Sequence, residues 1–229
     1  MPQQLTFLNT SIPSRRAHCQ RCLRPATACI CACVQPVAHT TQVLVLQHPL
    51  EAQHPKGTAR LLHLCLPHSR MVLGESWPAD ALQPLLHAAW PAEGERPAEP
   101  APDLTLLLYP PSPPDPTLPL QEPPPWSMAD LATLPAGAVL RLVVIDGTWR
   151  KSRKMLYLNP ALQQLPRLPL QDVPEGHYTI RKAHKPGQLS TLEATAAALQ
   201  QLEAGNSTLH GLSQAMASMQ SHYRAQFSL

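Results

Sequence analysis

In LRLVVIDGTWRKSRKMLYLNP, residues 140–160, an apolar run of strand length breaks at an Asp-Gly pair and gives way to a basic, helix-forming segment. Strand, glycine turn and helix start follow one another without a spacer. That order puts Asp146 at the carboxyl end of a parallel strand, where open α/β sheets place their ligand chemistry. A plainer role is open to the same residues, since Asp-Gly is among the commonest turn dipeptides and Thr148 can cap the helix that follows. Trp149 suits stacking on a planar ligand and equally suits anchoring the helix in the core, the commoner fate of a tryptophan.

Outward from this unit the same alternation recurs. QVLVLQ at 42–47 reads as a buried strand bounded by Thr41 and His48-Pro49. Thr58 is placed to cap a helix with Leu61, Leu62, Cys65 and Leu66 on one face, and Pro67 ends it. MVLG at 71–74 is a second short strand, and ADALQPLLHAAW a short helix interrupted near Pro84. DLTLLLYPP holds a buried strand at 104–109 that stops at Pro110. Beyond residue 160 the pattern predicts a short strand from Tyr178 to Ile180, a basic turn, and a helix opened by a capping box of Ser190 and Glu193. An amphipathic helix over about 208–227 carries Leu209, Leu212, Met216 and Met219 on its face. Strands alternating with helices make the class α/β.

The 229 residues include 28 prolines against 9 glycines, and 13 of those prolines fall in 91–125. Each proline lacks the N–H that a helix turn or a strand ladder needs, so an uninterrupted helical bundle and long central strands are both excluded. Short elements on stiff connectors are expected, with PSPPDPTLPLQEPPPW extended and partly polyproline II. A disordered linker fits this region less well, because a buried strand lies inside it and needs sheet neighbours. The net charge of +3 names no polyanionic partner by itself. No apolar run reaches the roughly 18 residues of a membrane span, and the N-terminus lacks the layout of a signal peptide, so a cytoplasmic protein is expected.

Five of the six cysteines lie between residues 19 and 33. In a reducing compartment such a cluster suggests metal before disulfides. Cys19 and Cys22 have the spacing that lets one tight turn aim two thiolates at one ion, and Cys29 and Cys31 can close a tetrahedral Zn²⁺ site from a second loop. Cys33 is a spare, and His18 adjoins the first ligand, so exchange of a ligand stays open. Four thiolates saturate zinc and leave no position for a substrate water, which makes the site structural. Residues 1–38 then form a small zinc-binding segment ahead of an α/β domain over 39–229. Cys65 reads as core.

Five blocks stand in order along the chain: CQRCLRPATACIC at 19–31, QHP at 47–49 with GTARLL at 57–62, LLLYPP at 106–111, VVIDGTW at 143–149 and YTIRKAHKPGQLSTLEA at 178–194. On these blocks the chain resembles the DTW-domain family, the tRNA-uridine aminocarboxypropyltransferases. The resemblance implies a SPOUT-like, mostly parallel sheet with a C-terminal trefoil knot, and S-adenosylmethionine held among three loops. Carried onto this sequence, those loops bring Leu108, Tyr109 and Pro110, then Ile145, Asp146, Gly147 and Trp149, then Leu189, Ser190, Thr191 and Glu193 to the cofactor. The chain departs from the family pattern after Tyr109-Pro110, where PSPPDP replaces a more usual glycine and acidic residues and begins a proline-rich insertion at about 110–125.

The implied reaction moves the 3-amino-3-carboxypropyl group of S-adenosylmethionine to N3 of a tRNA uridine, the variable-loop uridine in bacterial relatives, and releases 5′-methylthioadenosine. Uridine N3–H is a weak acid, so the site needs a base or an acceptor for that proton. Asp146 is the candidate for either role, with Thr148 and Trp149 beside it as catalytic candidates. Ser190 and Thr191, at a helix N-terminus, suit the methionyl carboxylate. Arg150, Lys151, Arg153 and Lys154, together with Arg181, Lys182 and Lys185, flank the expected pocket as an RNA backbone track. Two alternatives share these features: an RNA methyltransferase using the same cofactor, and a zinc-containing RNA-binding protein without catalysis. Nothing in the sequence points to a protein partner or sets the oligomeric state.

Overall fold

The computed structural model describes residues 17–94, 96, 98–171 and 189–227. Five parallel strands form one sheet: β1 (Gln42–Gln47), β2 (Ser69–Leu73), β3 (Leu104–Leu108), β4 (Leu140–Asp146) and β5 (Arg167–Leu168), in the order β2-β1-β4-β3-β5. Every residue of β1 is buried, which is why QVLVLQ shows no polar alternation: both faces of the sheet are covered.

The helices are α1 (Ala59–Cys65), α2 (Ala79–His87), α3 (Trp149–Leu158), α4 (Pro160–Gln163), α5 (Thr191–Leu202) and α6 (His210–Phe227). Val43 and Val45 of β1, with Leu106, Leu142 and Val144, pack on α1, α5 and α6 through Leu61, Leu62, Leu192, Leu199 and Leu212. Leu44 and Leu46, with Leu107 and Val143, meet Leu82 and Leu86 of α2, Met155 and Leu156 of α3 and Leu162 of α4. The helix after β1 therefore covers one face and the helix after β4 the other. Adjacent strands whose following helices part in this way open a crevice at their carboxyl ends. Gln47 and Asp146 are register partners at that point.

Several expectations change in detail. Helix α2 runs through Pro84 without a break. Pro84 is exposed, so the Asp80 carbonyl that loses its N–H partner there faces solvent and can be hydrated. Thr58 does not cap α1 with its side chain; its Oγ1 accepts the Leu192 N–H at 3.2 Å and so serves the start of α5. Leu209 belongs to a short 3-10 turn before α6. The pair β5 and the short α4 were not foreseen, being too brief to show a period. The strand expected at Tyr178–Ile180 lies outside the described residues. Cys65 is fully buried, as expected. Among the described residues, no helix is long and apolar enough to cross a membrane.

The start of the proline-rich region is ordered on the rest of the fold. Trp90 and Glu99 exchange backbone hydrogen bonds of 2.9 and 2.8 Å. Arg96, between them, donates to the His63 carbonyl at 2.8 Å and the Leu66 carbonyl at 2.8 Å, satisfying the C-terminal end of α1. The Trp90 ring lies 3.9 Å from the guanidinium of Arg141, which is wholly buried and held by Gln42 Oε1. These polar groups sit at the amino end of the sheet, away from the crevice.

Thr58 tests the link between α1 and α5. Thr58→Val keeps the shape but strands the buried Leu192 N–H, at a cost of about 1–3 kcal/mol. A fall of several degrees in Tm is expected by thermal unfolding; an unchanged Tm would show that the hydroxyl holds nothing.

Candidate functional site

Asp146 ends β4 and is only 7% exposed. A buried carboxylate is costly unless donors surround it. Here Gln47 Nε2 donates to Oδ2 at 2.8 Å, and Thr191 Oγ1 donates to Oδ1 at 2.5 Å. The Asp146 carbonyl also accepts the His48 N–H at 2.9 Å. One residue therefore joins β1, β4 and the first turn of α5. Each carboxylate oxygen accepts one of these side-chain bonds and has a second lone pair.

The turn after Asp146 is tight. A Cβ on Gly147 would come within 3.3 Å of Lys151 Cβ and 3.4 Å of the Ser152 nitrogen, so the position favours glycine by close approach. Thr148 is the N-cap of α3, with its Oγ1 3.4 Å from the Lys151 nitrogen. Trp149 is not a core residue: it is 55% exposed and its ring meets Tyr109 edge to face at 6.0 Å. Tyr109 is buried at the end of β3, while Leu108 and Ile145 are half-buried and Pro110 is exposed. The ends of β3 and β4 thus meet through an aromatic pair.

At the third loop, Ser190 and Glu193 form the expected capping box: Glu193 N donates to Ser190 Oγ at 3.2 Å and Ser190 N donates to Glu193 Oε2 at 2.8 Å. Thr58 takes the Leu192 N–H. Two amides at the start of α5 that could bind a carboxylate are therefore already bonded within the chain. Leu189 is half-buried beside them.

The basic face of α3 is largely neutralised by carboxylates distant in sequence. Lys151 Nζ lies 2.7 Å from Glu51, and Lys154 Nζ lies 3.0 Å from Glu75. Glu75 also receives His48 Nε2 at 3.2 Å; His48 Nδ1 accepts the Leu50 N–H, which leaves the ring proton on Nε2 to donate. The hydrogen bond from Lys154, then that from His48, hold the Glu75 carboxyl below its usual pKa. Arg153 Nη2 donates to the Leu118 carbonyl at 3.0 Å. Arg150 is exposed on the wall of an open cleft of about 610 Å³ that Trp149, Arg153 and Lys154 also line. Arg181, Lys182 and Lys185 lie outside the described residues.

Residues that sequence reasoning missed include Gln47, Glu51, Glu75 and Arg167. Glu51 and Glu75 each follow a β-strand by a few residues, a position that marks the carboxyl edge of the sheet once the strands are known. Arg167 sits on β5 with its guanidinium 5.4 Å from the Tyr109 ring centre. Its Nε and Nη2 are buried without a hydrogen-bond acceptor. No periodic signal surrounds it.

Cys19, Cys22, Cys29 and Cys31 converge, with all four sulfurs within 4.8 Å of one another. Cys19 and Cys31 are 3.6 Å apart, Cys22 and Cys29 3.7 Å. A tetrahedron with Zn–S of about 2.3 Å separates its sulfurs by about 3.8 Å, so the donor set fits zinc in both chemistry and spacing. Backbone hydrogen bonds at Cys22 and Arg21 bring the Cys19 thiol down to about 6, while burial, then hydrogen bonding to Cys19, pushes Cys31 up to about 12. Cys33 is not in this group; it is buried in the core. His18 is likewise outside it. The turn after Cys22 uses Leu23 at φ 59°, a left-handed conformation uncommon for leucine.

Arg24 carries this segment to the site. Its Nη1 donates to the Pro55 carbonyl at 2.9 Å and its Nη2 to the Gly57 carbonyl at 2.6 Å, next to Thr58. The contacts then run from Thr58 to α5, and from Thr191 of α5 to Asp146.

Comparison with known proteins identifies the chain's relatives. The chain is 33% identical over 208 residues to the tRNA-uridine aminocarboxypropyltransferase 2 of Drosophila melanogaster, covering 87% of this chain and 72% of that protein. It is 29% identical over 222 residues to the protein of the same name in Macaca fascicularis, covering 94% and 67%. With the tRNA-uridine aminocarboxypropyltransferase A of Arabidopsis thaliana it shares 30% identity over 144 residues, covering 62% and 51%. No solved structure matches the chain. The DTW domain matches residues 16–224, and with Asp146, Thr148 and Trp149 standing at the carboxyl edge of the sheet, the chain belongs to the DTW-domain family.

Proposed function

We propose that the chain is a tRNA-uridine aminocarboxypropyltransferase whose reaction takes place at the carboxyl edge of β1 and β4. The observation that carries this is the Asp146 carboxylate, buried at the crevice and held by Gln47 and Thr191, in a family whose similar members bear that activity in their names. S-adenosylmethionine is the donor substrate, seated among the ends of β3 and β4 and the start of α5. The acceptor is uridine N3: a bond forms from N3 to the methionyl γ-carbon, the carbon–sulfur bond breaks, its electron pair leaves with 5′-methylthioadenosine, and the N3 proton is lost.

Asp146 is the acceptor for that N3–H. Its oxygens are fixed by Gln47 and Thr191 but each retains a lone pair, so the carboxylate can orient the uracil and stabilise loss of the proton without moving. Thr148 and Gly147 set the turn that presents it, and Tyr109 and Trp149 supply flat apolar surface at the same edge. The trefoil knot is supported by the insertion of β4 between β1 and β3 and by the return of α5 to Asp146. Zinc, bound by Cys19, Cys22, Cys29 and Cys31, fixes the segment from which Arg24 braces the Gly57–Thr58 turn. That role keeps metal out of the chemistry.

Incubation with tRNA and S-adenosylmethionine, followed by identification of the by-product, tests the reaction. Methylthioadenosine with an aminocarboxypropyl-uridine in the tRNA digest is expected; S-adenosylhomocysteine would identify a methyltransferase, and unconsumed cofactor a binding protein. Asp146→Asn is expected to lower kcat by about 10²–10⁴-fold, and near-wild-type turnover would remove Asp146 from the mechanism. Metal analysis of the purified chain is expected to give about one zinc per chain. Arg24→Ala should keep that zinc while weakening S-adenosylmethionine binding severalfold by calorimetry; unaltered affinity would confine Arg24 to the zinc segment.

A further inference from the structure

After β3 the chain does not return directly to β4. It folds back along α3 as a proline-rich strap. Asp115 Oδ1 accepts the Thr117 N–H at 2.9 Å, closing a turn, and Arg153 donates to the Leu118 carbonyl. Farther on, the Gln121 N–H donates to Gln163 Oε1 at 2.7 Å and Leu120 packs on the core. These contacts pin a stiff segment at a distance from the first turn of α3, and the space between is the cleft of about 610 Å³. That size is within the roughly 300–1,000 Å³ of small-ligand sites.

The lining joins an aromatic ring to positive charge. Trp149 is exposed, and of the cations on the wall Lys154 is paired with Glu75 and Arg153 with Asp115, while Arg150 is exposed. A second observation points to an anion. Arg153 Nε lies 3.3 Å from Asp115 Oδ2 yet out of line for a hydrogen bond, and it has no other acceptor. An exposed arginine and an under-bonded one beside an exposed tryptophan match a phosphate attached to a flat base.

We propose that the cleft between α3 and the strap holds one nucleotide of the single-stranded part of the tRNA, its base against Trp149 and its phosphate at Arg150 and Arg153. This rests on the transferase reading and assigns the strap to recognition of a nucleotide flanking the acceptor uridine. The polyproline geometry lets the strap stand as a wall with little apolar burial of its own.

The test uses the full chain and a fluorescein-labelled tRNA transcript, read by anisotropy over a series of salt concentrations. Calorimetry of S-adenosylmethionine on the same preparations reports on the cofactor site. Arg150→Glu is expected to weaken tRNA binding about tenfold and to flatten the salt dependence by about one unit of log–log slope, with cofactor affinity unchanged. Replacing Asp115–Leu118 by a Gly-Ser stretch of equal length should weaken tRNA binding in the same direction. Ultraviolet cross-linking of the wild type should place RNA on the peptide that carries Trp149. Unchanged tRNA affinity in both variants, or cross-links confined to other surfaces, overturns the proposal. Neither readout requires transfer: a chain that binds RNA here without forming product would sink the reaction and leave the cleft, and product formation with unaffected variants would do the reverse.

Discussion

The Asp146 carboxylate, held between Gln47 and Thr191, is the constraint on which the rest of the structure depends. It lies where the adjacent parallel strands β1 and β4 send their helices to opposite faces, so the crevice there is a product of topology. Burying an acidic group at this point needs donors from both sides. Gln47 comes from the neighbouring strand and Thr191 from a helix that the chain reaches 45 residues later. The same bonds that satisfy the charge therefore bring the β4 turn and the start of α5 together.

The bracing extends outward by ordinary hydrogen bonds. Thr58 satisfies an amide of α5, and Arg24 grips the carbonyls just before Thr58. A four-sulfur cluster that fits zinc is thus linked to the crevice through one turn. On the other side of the sheet, the Tyr109–Trp149 contact ties the end of β3 to the start of α3, and Arg153 holds the strap. The proline excess is concentrated in that strap and in the segment bound to α1 through Arg96.

Features set by local pattern were legible in the sequence. The buried strands β1 and β4, the Ser190–Glu193 capping box and the cysteine spacing each depend on residues close in the chain, and each is found. Features set by long-range pairing were not. Thr58 has the local look of a cap for α1, yet its hydroxyl bonds an amide 134 residues away. The run Arg150–Lys154 looks like a uniformly free basic face, but Glu51, Glu75 and Asp115 approach it from separate loops and occupy most of its charge. Trp149 is exposed and meets the buried Tyr109 edge to face, a contact that depends on how β3 and β4 pair.

The most direct test of the central claim is the affinity for S-adenosylmethionine, by titration calorimetry, of Thr191→Val, which deletes the donor to Asp146 Oδ1 and little else. If the Asp146–Thr191 bond sets the start of α5 against the β4 turn, the Kd rises severalfold while the chain stays folded. An affinity equal to that of the wild type would contradict the account, because the carboxylate would then be satisfied without organising the site.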